Sequence, residues 1–271
     1  LARLGLPRRG RIRLAIGADE EAGCTLGFGW LTRHEATFLK ADLAINEGGG
    51  SALGLTDQGC PIISLGVGEK GRCEVVFTIT SPGGHAGAPR GKSNPLTIMA
   101  ELITRLNAWQ SPSRTDAPIL QRLAPLMGHK GSLSSDQVDS LIDDLAREKP
   151  ALATSLHAQT HLTITPTVTT AGEKSNAIPS RAELICDARL LPGQSPKELE
   201  PILTKLTLGL PGVSYHVNVT AQSSQADIDR TIVERIERAA SRALEREVSL
   251  APTWCTGFTD ARHVRELGTP V

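Results

Sequence analysis

The chain has 271 residues, enough for one large or two ordinary domains with a real core, and its 29 basic residues balance its 29 acidic ones. Zero net charge, aromatics at only 3 % and no basic run interleaved with aromatics argue against a nucleic-acid partner. No apolar run approaches the roughly 18 residues of a membrane span, and five scattered cysteines without C-x-x-C spacing indicate reduced thiols in a cytoplasmic setting rather than a disulfide frame.

The first residue is Leu1 rather than Met, and residues 1–9 read as the tail of a helix, so a longer parent polypeptide is expected. Residues 11–29, RIRLAIGADEEAGCTLGFG, open with Ile12, Leu14 and Ile16 alternating with Arg13 and Ala15. That period of two predicts a strand with one buried face. It runs into Asp19, Glu20 and Glu21, then Gly23, Gly27 and Gly29. Carboxylates just past a buried strand sit where open α/β sheets bind ligands, and their mutual repulsion suits a divalent cation. In isolation an acidic triplet reads more readily as a solvated turn before a helix. A helix over 25–39 and a short strand over 42–46 follow, the strand ending in Glu47 and three glycines. Two such strand ends with a helix between them predict a βαβ unit, parallel neighbours and acids on one edge.

A strand over 73–80 breaks at Ser81-Pro82-Gly83-Gly84 and leaves His85 in an open loop, as a surface residue, a ligand or an electrophilic group. Asn94-Pro95 starts a helix that runs to about residue 106. Residues 111–150 are polar and helical, with Ser135 capping a run, and show no chemistry; His129, His157 and His161 lack paired-ligand spacing. Strands over 161–169 and 182–191 follow, with Asn176 between them and Arg189 near the end of the second. Asn176 offers an amide and Arg189 a fork suited to a carboxylate, although on spacing alone an ion pair of Arg189 with Asp187 comes first. A helix over 196–206, a strand over 214–220, an amphipathic helix over 228–245 and a short strand over 248–250 complete the pattern. Residues 254–262 are a Gly/Thr-rich turn opening another helix, whose N-terminus suits an anionic group, and Val271 reads as the start of a strand.

Six stretches in this order, ADEEAG (18–23), INEGGG (45–50), EKG (69–71), GGHAGAP (83–89), SNAIPSRAELICDARLLPG (175–193) and GFTDAR (257–262), together resemble the zinc-dependent aminoacylase and carboxypeptidase family of metallopeptidases. That family includes glutamate carboxypeptidase, acetylornithine deacetylase and succinyl-diaminopimelate desuccinylase. The long helical insert between His85 and Asn176 is most similar to the branch of N-acyl-amino-acid and Gly-X carboxypeptidases.

The resemblance implies an α/β fold in which a mostly parallel catalytic sheet with helices is interrupted by an α+β lid or dimerisation domain. The changes of sequence texture then divide the chain into a catalytic part over 1–69, a lid over 70–223 and a second catalytic part over 224–271. It implies Glu20 as the general base, and Glu21 and Glu47 as ligands to two zinc ions, with cobalt or manganese as substitutes. His85 matches the lid histidine that polarises the scissile carbonyl, often in the partner subunit's active site, and Asn176 and Arg189 match residues that grip the substrate carboxylate. The implied partners are a small peptide or N-acyl amino acid and a second copy bound through the lid.

The family's upstream His-x-Asp, bridging Asp and last His ligand are expected before Leu1 and after Val271, which leaves Glu21 and Glu47 as this chain's share. Two readings follow. One is a metal-dependent hydrolase cleaving an amide next to a free carboxylate; the other is a non-catalytic dimerisation or binding remnant without metals.

Overall fold

The computed structural model describes residues 10–56, 58–227 and 229–271, so the helix tail expected over 1–9 lies outside the described residues. Residues 11–17 and 43–46 belong to no strand among the described residues, which corrects the predicted βαβ unit. Alternation signals one face that wants burial, but a strand also needs a neighbour for its backbone groups. Among the described residues neither segment has a ladder partner: Arg13 reaches the carbonyls of Thr37, Phe38 and Lys40, and Ala44 N–H donates to Pro270 O. Leu14, Ile16 and Ile45 are consequently 79–88 % exposed.

After the acidic turn come two short helices, α1 (Phe28–His34) and α2 (Ala36–Leu39), where the sequence predicts one; the backbone leaves helical geometry at Glu35. Strands β1 (Ala52–Leu55), β2 (Pro61–Glu69), β3 (Gly71–Thr80) and β4 (Gly84–His85) follow. Four helices come next: α3 (Pro95–Ala108), α4 (Leu120–Leu126), α5 (Ser135–Glu148) and α6 (Pro150–Thr160). Asn94 caps α3 by accepting from Leu96 N–H, with Pro95 in the first turn. Ser134, one residue before the predicted cap, closes a capping box with Gln137 on α5. Strands β5 (Thr163–Ala171), β6 (Ala177–Ile178) and β7 (Arg181–Leu190) lead through a 3₁₀ turn to α7 (Leu199–Thr207). The chain then passes through β8 (Val213–Ala221), β9 (Ser224–Gln225), α8 (Arg230–Ala243), β10 (Ser249–Cys255) and α9 (Ala261–Arg265). Residues 269–271 are irregular rather than the start of a strand.

These elements form two principal sheets. In the first, β2 pairs in parallel with β10 and antiparallel with β1 and β9. The parallel pairing expected of the catalytic part is therefore carried, among the described residues, by β2 and β10. The second is antiparallel in the order β5-β7-β3-β8, and β4 and β6 form a separate two-stranded ribbon. On β3 and β7 alternate residues turn inward: Cys73, Val75, Phe77 and Ile79 meet Leu184, Cys186, Ala188 and Leu190 beneath α3 and α7. Each Val, Phe, Ile or Leu side chain among them, fully withdrawn from water, stabilises the fold by about 1.5–3 kcal/mol before chain entropy is counted. Helices α4, α5 and α6 build a second core with Val67, Leu191 and Trp254, against the point where the two sheets meet. No disulfide joins the five cysteines, and no helix among the described residues is long and apolar enough to cross a membrane.

The join is the three-residue crossover Glu69-Lys70-Gly71. Both charged residues are 1 % exposed. Glu69 accepts hydrogen bonds from Thr259 N–H and its hydroxyl and pairs with Arg265 at 3.2 Å. Lys70 Nζ donates to Ala158 O and His161 O, capping the carbonyl end of α6. Burial pulls the Lys70 ammonium from 10.5 down to about 7, with nearby Arg189 adding to it against Asp187. A neutral amine still has two protons for its two carbonyls.

The unfolded chain keeps that proton up to its ordinary pKa while the folded chain releases it from about 7. Between those values the unfolded state binds more protons, so stability rises with pH, by at most about 1.4 kcal/mol per pH unit. Urea denaturation of wild type and Lys70→Met at pH 7.5, 8.5 and 9.5 is expected to show a gap that widens in favour of wild type. A gap that does not change with pH contradicts the depressed amine.

Candidate active site

The acidic triplet is held in a tight turn. Asp19 O accepts from Ala22 and Cys24 N–H, and Asp19 Oδ2 accepts from Leu26 N–H at 2.8 Å. Asp19 and Cys24 both sit at positive φ (71° and 65°), a conformation kept only where surroundings enforce it. Two contacts supply that enforcement. At Gly27 an added Cβ would lie 1.9 Å from Ala18 O, so only glycine allows the turn to close on the start of α1. Arg262 Nη2 donates to Gly23 O at 2.7 Å, while its guanidinium lies 4.7 Å over the Phe258 ring. Glu47 is placed by the neighbouring Gly48, at φ 106°, which packs against Cys255 at the end of β10, and by Asn46, whose amide donates to Thr259 Oγ1.

Glu20, Glu21 and Glu47 line one cavity of about 680 Å³. Burial pushes the Glu20 carboxyl above the ordinary range, and the charges of Glu21, Glu47 and Asp260 add to this against Arg262. The same cavity is lined by Arg72 and Arg189 from the antiparallel sheet, Ser155 and Gln159 from α6, and residues 253–259. The fold therefore brings together four of the six residues singled out from the sequence: Glu20, Glu21, Glu47 and Arg189. His85 and Asn176 are not with them. They are exposed on the β4–β6 ribbon, where His85 sits opposite Ala177 and Ala86 N–H donates to Asn176 O.

Arg189 forms the ion pair that spacing favoured. Its Nε meets Asp187 Oδ1 at 2.5 Å, its Nη2 reaches Oδ2 at 3.3 Å, and its Nη1 donates to Thr256 O at 3.3 Å. Arg72 Nε also donates to Asp187 Oδ2, at 2.7 Å. Burial pushes Asp187 up, but hydrogen bonds from both arginines outweigh it and hold the carboxyl below the usual carboxylate range. Sequence reasoning missed Arg72, Ser155 and Gln159. For Arg72 a signal existed, because pairing the strands at 73–80 and 182–191 as an antiparallel ladder puts residue 72 opposite Arg189. For Gln159 there was none: it accepts from Trp254 N–H and donates to Ser155 Oγ, partners remote in sequence or without any chemical motif.

The carboxylates fit part of a divalent-cation site. They offer the hard oxygen donors such ions take, and beside burial the charges of Glu21 and Glu47 raise the Glu20 pKa, a repulsion that a cation would relieve. Among the described residues no three His, Cys, Asp or Glu side chains are placed to enclose one ion.

Residues 67–207, just over half of the chain, match the family model described as the peptidase dimerisation domain. The chain belongs to the M20 peptidase family. Curated M20 relatives include the human N-fatty-acyl-amino acid synthase/hydrolase PM20D1, 26 % identical over all of this chain and 55 % of that protein. The probable carboxypeptidase S-like 2 of Dictyostelium discoideum is 25 % identical over 93 % of this chain and 49 % of its own length. The chain thus spans about half the length of the curated relatives it matches. The M20 metallo-carboxypeptidase Sso-CP2 from Sulfolobus solfataricus shares the fold at a TM-score of 0.58 and 19 % identity, covering 93 % of this chain and 59 % of that one. Human carnosine dipeptidase 1 does so at 0.54 and 14 %, covering 92 % and 55 %.

Because the acidic turn closes only over a glycine, Gly27→Ala is expected to destabilise the protein by about 1–3 kcal/mol in urea denaturation, the usual range for overpacking. Gly257→Ala, where a methyl meets nothing within 4 Å among the described residues, is the control and is expected to be neutral. Equal stability of the two variants would show that Gly27 does not hold the turn.

Proposed function

We propose that the protein is a metal-dependent hydrolase, an exopeptidase or N-acyl-amino-acid amidohydrolase that cleaves an amide bond next to a free carboxylate. One observation carries this reading: three carboxylates from two separate segments line the same cavity as a pair of arginines. The N-acyl-amino acid named for the PM20D1 relatives and the peptidase fold of the solved neighbours support it.

In this reading Glu21 and Glu47 hold the metal, two zinc ions in the complete site with cobalt or manganese as substitutes. When bound, the metal supplies a Lewis acid that lowers the pKa of a water molecule. Glu20 takes a proton from the attacking water and delivers it to the departing amine nitrogen, as the carbonyl C–O bond forms and the C–N bond breaks. A carboxyl with a raised pKa is suited to both halves of that transfer. The developing oxyanion needs a donor. We assign it to His85 of a second copy, and to Asn176 beside it a contact with the substrate carboxylate, in a homodimer formed through the lid over residues 70–223, the catalytic parts being 1–69 and 224–271. The exposure of His85 and Asn176 on a ribbon outside the cavity agrees with action on a partner's substrate. The unpaired thiols suit a cytoplasmic protein.

Glu20→Ala is expected to lower kcat by roughly 10²- to 10⁴-fold, the usual share of a general base, with metal content unchanged. Glu21→Ala and Glu47→Ala are expected to lose metal in elemental analysis. A Glu20→Ala rate near wild type removes the general-base assignment. Purified protein with neither metal nor hydrolysis would establish the non-catalytic dimerisation or binding remnant instead.

A further inference from the structure

We propose that Arg72 is the residue that receives the carboxylate of an N-acyl amino acid in this cavity, and that Arg189 is the positioning residue that holds it in place. The inference rests on taking the cavity as the substrate site of the proposed hydrolase. It departs from the role that the family resemblance gives to Arg189.

The two arginines stand directly opposite each other in the β3–β7 ladder, and Asp187, two residues before Arg189, lies on the same face. Their donors are spent differently. Arg189 commits Nε and Nη2 to Asp187 and Nη1 to the carbonyl of Thr256, so its fork is occupied at every nitrogen. Arg72 commits only Nε, to Asp187. Among the described residues its two terminal nitrogens have no protein partner, and its side chain, 37 % exposed, lines the cavity. A guanidinium fixed at Nε and open at both Nη groups presents the planar donor pair that a carboxylate takes bidentately.

Charge leads to the same residue. Asp187 supplies one negative charge to two guanidiniums, which leaves one positive charge on that part of the wall. The other charged groups lining the cavity are the acids Glu20, Glu21 and Glu47. Leu53, Trp254 and Phe258 are the apolar side chains of the lining. The cavity therefore has a cationic subsite, an acidic subsite and apolar surface, which matches an amino acid with a free carboxylate, an apolar side chain and an acylated nitrogen. Thr256 O receiving Arg189 ties the antiparallel sheet to the turn that follows β10, so the cation pair keeps its place relative to the acids.

The test is binding of N-acetyl-leucine and N-acetyl-leucinamide to the metal-free full chain by titration calorimetry, in wild type, Arg72→Gln, Arg72→Lys and Arg189→Gln. Wild type is expected to favour the acid. Arg72→Gln is expected to weaken the acid roughly tenfold, the share of a hydrogen bond to a charged group, and to leave the amide unchanged. Arg72→Lys, which keeps the charge and loses the fork, is expected to recover part of the loss. Arg189→Gln is expected to weaken the acid several-fold and leave the amide unchanged, since it acts only through the placement of Arg72, and to lower Tm more than Arg72→Gln does. An unchanged acid preference in Arg72→Gln overturns the proposal, as does wild type that binds acid and amide equally. Turnover is not needed for this measurement. A protein that distinguishes acid from amide through Arg72 yet hydrolyses neither keeps the carboxylate site and loses the hydrolase reading, whereas hydrolysis with discrimination independent of Arg72 does the reverse.

Discussion

Two adjacent ionisable side chains, an acid and an amine, are buried where the chain leaves the mixed sheet for the antiparallel one, and the rest of the molecule is arranged so that neither is left without partners. Glu69 takes its partners from Thr259 and Arg265, at the far end of the sequence. Lys70 takes its partners from the last turn of α6, in the middle of it. A buried charge without partners costs several kcal/mol, and removing one member of a buried pair typically costs 3–5 kcal/mol. The crossover can therefore exist only if the C-terminal segment and the helical insert both close onto it. That requirement joins three distant parts of the chain at one point, and the cavity forms beside it: β10 and the turn after it follow from Glu69, while Ser155 and Gln159 follow from Lys70.

The cavity's electrostatics grow from this arrangement. Burial raises the proton affinity of Glu20, and the charges of Glu21, Glu47 and Asp260 add to it. Across the join, Asp187 is held ionised between Arg72 and Arg189. One group of like charges is thus left in need of a cation, and one cationic pair is left with a donor fork to spare. Backbone constraints maintain the separation: the left-handed residues Asp19 and Cys24, the glycine at 27 and the guanidinium of Arg262 give the acids little freedom to rearrange.

Much of the antiparallel sheet was legible in the residues. The alternation in 73–80 and 182–191, the Asn94-Pro95 helix start and the amphipathic run after residue 228 each report a local preference that tertiary packing reinforced. The strand β2 escaped notice because Gly66 and Gly68 break its apolar pattern, yet those glycines are what let Gly48, Cys255 and Trp254 approach it. The opposite error came from Ile12, Leu14, Ile16 and Ile45, whose alternation is real but whose backbone finds no ladder partner among the described residues.

By itself the sequence determined the chemistry on offer: which acids follow which glycines, that the cysteines are scattered without C-x-x-C spacing, and that motifs of one peptidase family run in order along the chain. Only the tertiary structure decided which of those groups meet. Glu20 and Glu47 share a cavity with Arg189, His85 and Asn176 stand outside it, and Arg72 holds the uncommitted donors. The reason is physical. Local pattern sets how a segment wishes to fold, whereas burial of a charged crossover and the pairing of strands 100 residues apart set where its side chains end up.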